Sequence, residues 1–222
     1  MSARLRFPDP LAAADLVTFA GRAALMGADG LRLQASAGTL AMTTAVLAPR
    51  GLLDPNPTVL GMRILSVDPA LVCDLVVEPT SLQTADDDAR AVALPDTAIA
   101  PAWAGIAPPR GDWEPVGEIA ASVLAARAQE GMARVADELP ESPGEDVVRA
   151  VRGRVWGPSD DALLGLPAGV AFAAFGLGFI GGDERAVARR SGTWSRITVA
   201  RGHVLVRGPV RSGLTPVRRT GA

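Results

Sequence analysis

An α+β fold is expected from this sequence: a helix packed on an antiparallel sheet, followed by a helical region with a C-terminal antiparallel β-meander. Three features point to it. Apolar residues recur at spacings of three and four near the start and again in the second half. They switch to a period of two between those zones and at the end, and Pro/Gly clusters mark the changeovers.

The first helix opens at Asp9, an N-cap residue, with Pro10 in the first helical position. Ala12, Leu16, Phe19, Ala23 and Met26 then fall along one side, and Gly27 ends the run. Leu31 and Leu33, then Leu40, Met42 and Val46, alternate about a turn at Ala37 and Gly38, which predicts a hairpin beneath the helix. After the turn-rich residues 49–57, the apolar and β-branched stretches 58–66 and 71–78 are joined through Asp68 and Pro69 and extend the antiparallel sheet. Two further strands are expected at 90–94 and 97–104, each bounded by proline.

Residues 105–115, with Pro108, Pro109, Gly111 and Trp113, oppose both helix and strand and form the clearest boundary. An amphipathic helix follows over 119–138, with Leu124, Ala128, Met132 and Val135 on one side and Leu139 just beyond. Ser142, Pro143 and Glu145 read as a capping box that starts another helix, running to about Gly153. Residues 162–182 carry no charge, but glycines and Pro167 leave an uninterrupted helix of only about 13 residues. That spans roughly 20 Å against a hydrocarbon core of about 30 Å, so a buried core helix is expected and no membrane span. Strands at 185–190, 193–199 and 202–207, with turns at Ser191 and Gly192 and at Arg201 and Gly202, close the meander. The chain thus divides into a sheet-rich lobe (1–104), a Pro/Gly linker (105–115), a helical lobe with the meander (116–211) and a mobile tail (212–222), forming one compact unit without internal repeats.

Composition removes whole mechanisms. All 22 basic residues are arginine, tyrosine is missing, and Cys73 and His203 stand alone in their types. Schiff-base and P-loop lysines, a tyrosine proton donor, a two-histidine or cysteine-cluster metal site and an intrachain disulfide are therefore excluded. His203 has Ser191 and Ser195 nearby, but neither lies in a strand-to-helix elbow. Gly176, Gly178 and Gly181 match a dinucleotide-binding spacing but follow an apolar helix instead of a strand, so no cofactor is expected. No catalytic residue and no metal ligand is assigned. The acid groups 86–88, Asp112 with Glu114, Asp160 with Asp161, and Asp183 with Glu184 would need to converge for carboxylate chemistry.

Charge is the most specific functional signal. Residues 1–184 hold 13 arginines against 24 acids, whereas residues 185–222 hold nine arginines and no acid. Arg185, Arg189, Arg190, Arg196, Arg201 and Arg207, with Arg211, Arg218 and Arg219 beyond, are candidate contacts for an anion or partner. Trp113, Trp194 and His203 are candidate groove residues. The leading expectation is a non-enzymatic cytoplasmic binding or scaffold protein with a protein partner or self-association and no membrane. Alternatives are nucleic-acid association through the arginines, backbone-directed and weakly selective, and a carboxylate-dependent small-molecule enzyme. The stretches APPRGDWEP at 107–115 and SGTWSRITVARGHVLVR at 191–207 resemble uncharacterised proteins of high-GC actinobacteria. That resemblance accords with the arginine-for-lysine bias and implies no active site.

Overall fold

Asp9 caps the first helix as its sequence context requires: its carboxylate accepts the Ala12 N–H at 2.9 Å, and Pro10 follows where no N–H is needed. The computed structural model describes residues 4–51 and 53–208. The first half contains β1 (Arg4–Arg6), α1 (Pro10–Leu25), β2 (Leu31–Ser36), β3 (Thr39–Leu47), β4 (Thr58–Ser66), β5 (Cys73–Val77), β6 (Gln83–Ala85) and β7 (Asp88–Ala93). The second contains β8 (Glu114–Ala120), α2 (Ala121–Glu138), α3 (Glu145–Trp156), the short pair β9 (Ser159–Asp160) and β10 (Leu166–Pro167), α4 (Gly169–Gly176), β11 (Arg185–Ser191), β12 (Trp194–Val199) and β13 (Gly202–Arg207). The architecture is α+β, with the expected helix on an antiparallel sheet and a C-terminal antiparallel meander.

Eight strands form one antiparallel sheet in the order β5-β2-β3-β4-β13-β12-β11-β8. Two three-stranded meanders, β2-β3-β4 and β11-β12-β13, meet edge to edge at β4 and β13, from His203 opposite Met62 to Arg207 opposite Thr58. Because β13 takes that side of β4, β5 cannot continue as a simple hairpin. It returns to the other side of β2 and pairs Leu31 with Val77. A smaller sheet, β1-β7-β6, packs by α1.

The helices cover one face of the large sheet. Leu16 and Phe19 of α1, Leu124 and Ala128 of α2, and Val170, Ala173 and Ala174 of α4 are fully buried there. Uncharged α4 packs against β4 and β13, the seam of the two meanders. Gly61 of β4 and Gly202 of β13 let Leu177 and Phe179 reach the sheet, because a Cβ at either glycine would overlap those side chains. Phe179 stacks on Phe19 at 5.9 Å, and each such fully buried ring contributes about 1.5–3 kcal/mol. No described helix is long and apolar enough to cross a membrane.

Several sequence expectations change. Residues 97–104 are not a strand: Pro95 and Pro101 lack ladder donors, one bond links Ile99 N–H to Val76 O at 2.8 Å, and a 3-10 turn follows at Ala102–Gly105. Glu114 and Pro115, read as linker, open β8, and the helix expected from 119 starts at Ala121. The N-cap of α3 is Gly144, without a side-chain cap, so the Ser142 box does not form, and the helix continues past Gly153 to Trp156. The apolar helix shrinks to the eight residues of α4, since Leu164 and Gly165 adopt left-handed backbone at φ 59° and 74° and break it earlier. The short strands β1 and β6 have no sequence forecast, each being three residues long.

Candidate functional site

The outer face of the large sheet, opposite the helices, is built by strand alternation. In β12, Trp194, Arg196 and Thr198 point outward, and the register places Arg189 of β11 directly opposite Arg196, His203 opposite Thr198, and Arg207 opposite Trp194. Where β11 meets β8 the partner of Ala188 is Gly117 and that of Arg189 is Pro115, so β8 carries a bulge at Val116 while β11 keeps its alternation.

Residues 95–113 cross part of the same face. Trp103, Ile106 and Trp113 pack on Ala45, Leu60, Val76, Trp194 and Leu205 to form a second apolar cluster. The crossing is pinned by Arg32 of β2, whose Nε and Nη2 donate to the two Asp74 oxygens at 2.8 Å each while Nη1 donates to Ala104 O at 2.8 Å. The Arg32 guanidinium holds the Asp74 carboxyl below the usual range, with Gln34 adding a further hydrogen bond. Trp103 is anchored by its indole N–H to Asp29 Oδ1 at 2.7 Å.

Where the crossing segment ends, Arg196 lies over the Trp113 ring, 4.5 Å from its centroid. Such a contact is worth about 0.5–2 kcal/mol. Arg196 Nε and Trp113 Nε1 are both buried donors with no acceptor among the described residues. Burial, and then the charge of Arg189, lower the Arg196 pKa from its ordinary value. Burial and then Arg196 push the His203 imidazole down as well, while its Nδ1 sits 3.1 Å from the Thr198 hydroxyl. The arrangement is rich in donors and poor in acceptors.

The six predicted arginines do not all converge. Arg189 and Arg196 meet, with Arg207 one strand over on the same face. Arg185 sits at the opposite end of β11 and pairs loosely with Glu118 at 3.8 Å. Arg190 and Arg201 are exposed, Arg201 in the β12–β13 turn with its carbonyl accepting from Arg63 Nη1 at 2.8 Å. Of the candidates, only Arg185 has a carboxylate in ion-pair range among the described residues. Trp194 is 6% exposed and serves the apolar cluster instead of an open groove, because the crossing segment covers that part of the face. Arg211, Arg218, Arg219 and the tail lie outside the described residues.

Two family models match the chain. Residues 1–105 match a domain of unknown function (DUF8010) and residues 108–211 match a second (DUF8185). Among solved structures, the crystal structure of DNA polymerase sliding clamp from Caulobacter crescentus is similar at 10% sequence identity and a TM-score of 0.47, over 100% of this chain and 69% of that one. No curated protein matches. The boundary between the two family matches falls in the crossing segment, yet the large sheet runs through both halves at β4 and β13.

Three of the four acid groups have members engaged in local structure at separate places. Asp87 and Asp88 pair with Arg4 and Arg6, Asp160 pairs with Arg127 and caps the turn at Ala162, and Glu184 accepts the Gly181 and Ala200 N–H groups. Among the described residues no three His, Cys, Asp or Glu side chains gather in a metal-holding group. Sequence reading missed Arg152 of α3, whose Nη1 and Nη2 donate to the Met26 and Val46 carbonyls at 2.7 and 3.2 Å. Nothing in its helical neighbourhood distinguishes it from surface arginines, since both carbonyls come from distant segments.

Proposed function

We propose that the chain is a non-enzymatic binding protein whose recognition surface is the outer face of β11–β13, and that an acidic protein segment is its partner there. One observation carries this reading: Arg196, stacked on Trp113, directly opposes Arg189, and among the described residues neither has a carboxylate in ion-pair range although the chain has 24 acidic residues to offer. Two guanidiniums held opposite each other cost stability through like-charge repulsion, and a partner's carboxylates relieve that cost. The chemistry available on this face is recognition, with His203 held at Nδ1 by Thr198. An unpaired Cys73 suits a reducing, cytoplasmic setting.

An acidic peptide is favoured over nucleic acid because the aromatic rings are occupied. Trp194 is buried and Trp113 is covered by Arg196, so neither offers a free face for base stacking. Fluorescence anisotropy with a labelled polyglutamate peptide and with a single-stranded oligonucleotide of matched charge tests the reading. The peptide should bind, weaken with added salt and be lost in Arg189→Glu and Arg196→Gln. Tighter binding of the oligonucleotide would replace the protein-partner reading with nucleic-acid association, and an unchanged affinity in both variants would discard this face altogether.

A further inference from the structure

A second cavity borders the Trp103 turn. A cleft of about 600 Å3 opens between the loop joining α1 to β2, the end of β3 with its following loop, the Trp103 turn and the first two turns of α3. That volume falls within the range of small-molecule pockets. A groove of about 530 Å3 along α1, lined by Asp9, Asp15 and Thr18, is walled by one helix alone and lies open to solvent.

Arg152 forms the inner wall of the cleft. Two of its five N–H donors are met by the Met26 and Val46 carbonyls, and its guanidinium lies 5.5 Å from the centre of the Phe172 ring. These contacts fix its position but supply no negative charge. Burial lowers its pKa, and among the described residues no carboxylate comes within ion-pair range. A half-buried guanidinium held by dipoles alone is an incomplete arrangement, since a charge withdrawn from water is normally matched by an opposite one.

The charge around it is close to balanced. Arg50, Arg149 and Arg152 line the cleft with Asp29 and Glu145, and Asp146 beside it pairs with both Arg149 and Arg50, so that of the three arginines only Arg152 has no carboxylate in ion-pair range among the described residues. Asp29 is already occupied by the Trp103 indole, and Arg149 turns to Asp146 at 2.7 Å. A single carboxylate therefore supplies the one partner that Arg152 lacks, whereas a phosphate dianion brings a second negative charge with no free arginine to meet it. Val46 and the indole of Trp103 provide an apolar wall beside the charged one.

We infer that this cleft binds a small organic carboxylate, its carboxylate on Arg152 and its apolar body against Trp103. Such a ligand bridges α3 to the β3 loop. The site uses none of Arg189, Arg196, Arg207, Trp113 and His203, and although Trp103 and Ala45 also belong to the apolar cluster under the crossing segment, substitution of Arg189 and of Arg152 tests the two separately.

Isothermal titration of the full chain tests this with three probes: 2-naphthoate, its uncharged counterpart 2-naphthalenemethanol, and inorganic phosphate. The naphthoate should bind one to one, at least about tenfold more tightly than the alcohol, as expected for a charge-assisted contact. Arg152→Met should abolish that preference. Val148→Phe, a half-exposed position on the rim, should weaken both aromatic probes by about tenfold or more by filling the cleft, with the melting temperature unchanged. Arg189→Glu should leave all three titrations as they are. The inference is overturned if naphthoate shows no saturable binding, if the alcohol binds as well as the acid, or if phosphate displaces naphthoate. It is also overturned if naphthoate affinity survives in Val148→Phe, a comparison that decides the matter even should Arg152→Met fail to fold.

Discussion

Trp156 packs its indole ring against the bare Cα of Gly131, so that α2 and α3 approach at a point where any side chain would collide. The same ring stacks on Phe172 at 4.5 Å and is 1% exposed, leaving it no room to retreat. Gly131→Ala should therefore destabilise the fold by about 1–3 kcal/mol through overpacking. That net loss is expected despite the gain of about 1 kcal/mol that alanine brings to a helix interior. Urea unfolding checks it, and Trp156→Leu in the same background should recover part of the loss.

Arg189 and Arg196 are a directly opposed cross-strand pair of like charge. Replacing Arg189 by glutamate converts repulsion into attraction and should stabilise the protein by about 0.2–1 kcal/mol. The gain should shrink as salt is added. A higher denaturation midpoint together with lost peptide binding would mark this pair as kept for recognition at the expense of stability.

His203 predicts a pH dependence. Burial, reinforced by Arg196, lowers its folded pKa below the unfolded value, so the unfolded chain binds a proton more readily. The contribution is intact above about pH 6.5 and is lost as pH falls from there through the folded pKa. His203→Gln should flatten the decline in melting temperature between about pH 7.5 and 5. Asp74, whose pKa is lowered by Arg32, acts only at a more acidic pH and leaves that window clear.

Arg32→Lys keeps the charge but loses the fork that reaches Asp74 and the Ala104 carbonyl together. The crossing segment should loosen, with faster hydrogen exchange at the Ile99, Ala104 and Ile106 amides. Because Asp74 is 52% exposed, the global cost should be modest, about 1 kcal/mol or less.

Local patterns made much of this architecture legible. Asp9 and Pro10 marked the start of α1, the left-handed pair Ala37 and Gly38 marked the β2–β3 turn, and alternation marked β11 to β13 almost to the residue. Each of these signals lies within a few residues of the structure it specifies. The asymmetry of charge was equally visible, and so was the interest of Arg189, Arg196, Trp113 and His203 as separate residues.

Long-range partners could not be read along the chain. Nothing near Leu31 indicates that Val77 will lie beside it, and nothing near Met62 indicates His203, because strand pairing depends on which edges remain open once other strands have docked. The same holds for both sites. Trp113 reaches Arg196 only because residues 95–113 fold back over the sheet, and Arg152 reaches the Met26 and Val46 carbonyls only because α3 lands at the end of β3. Composition and periodicity dictated which segments are helical or extended and which chemistries the chain lacks. Tertiary packing alone decided which charged groups lost their water, and that desolvation makes two of 22 ordinary arginines into candidate recognition groups.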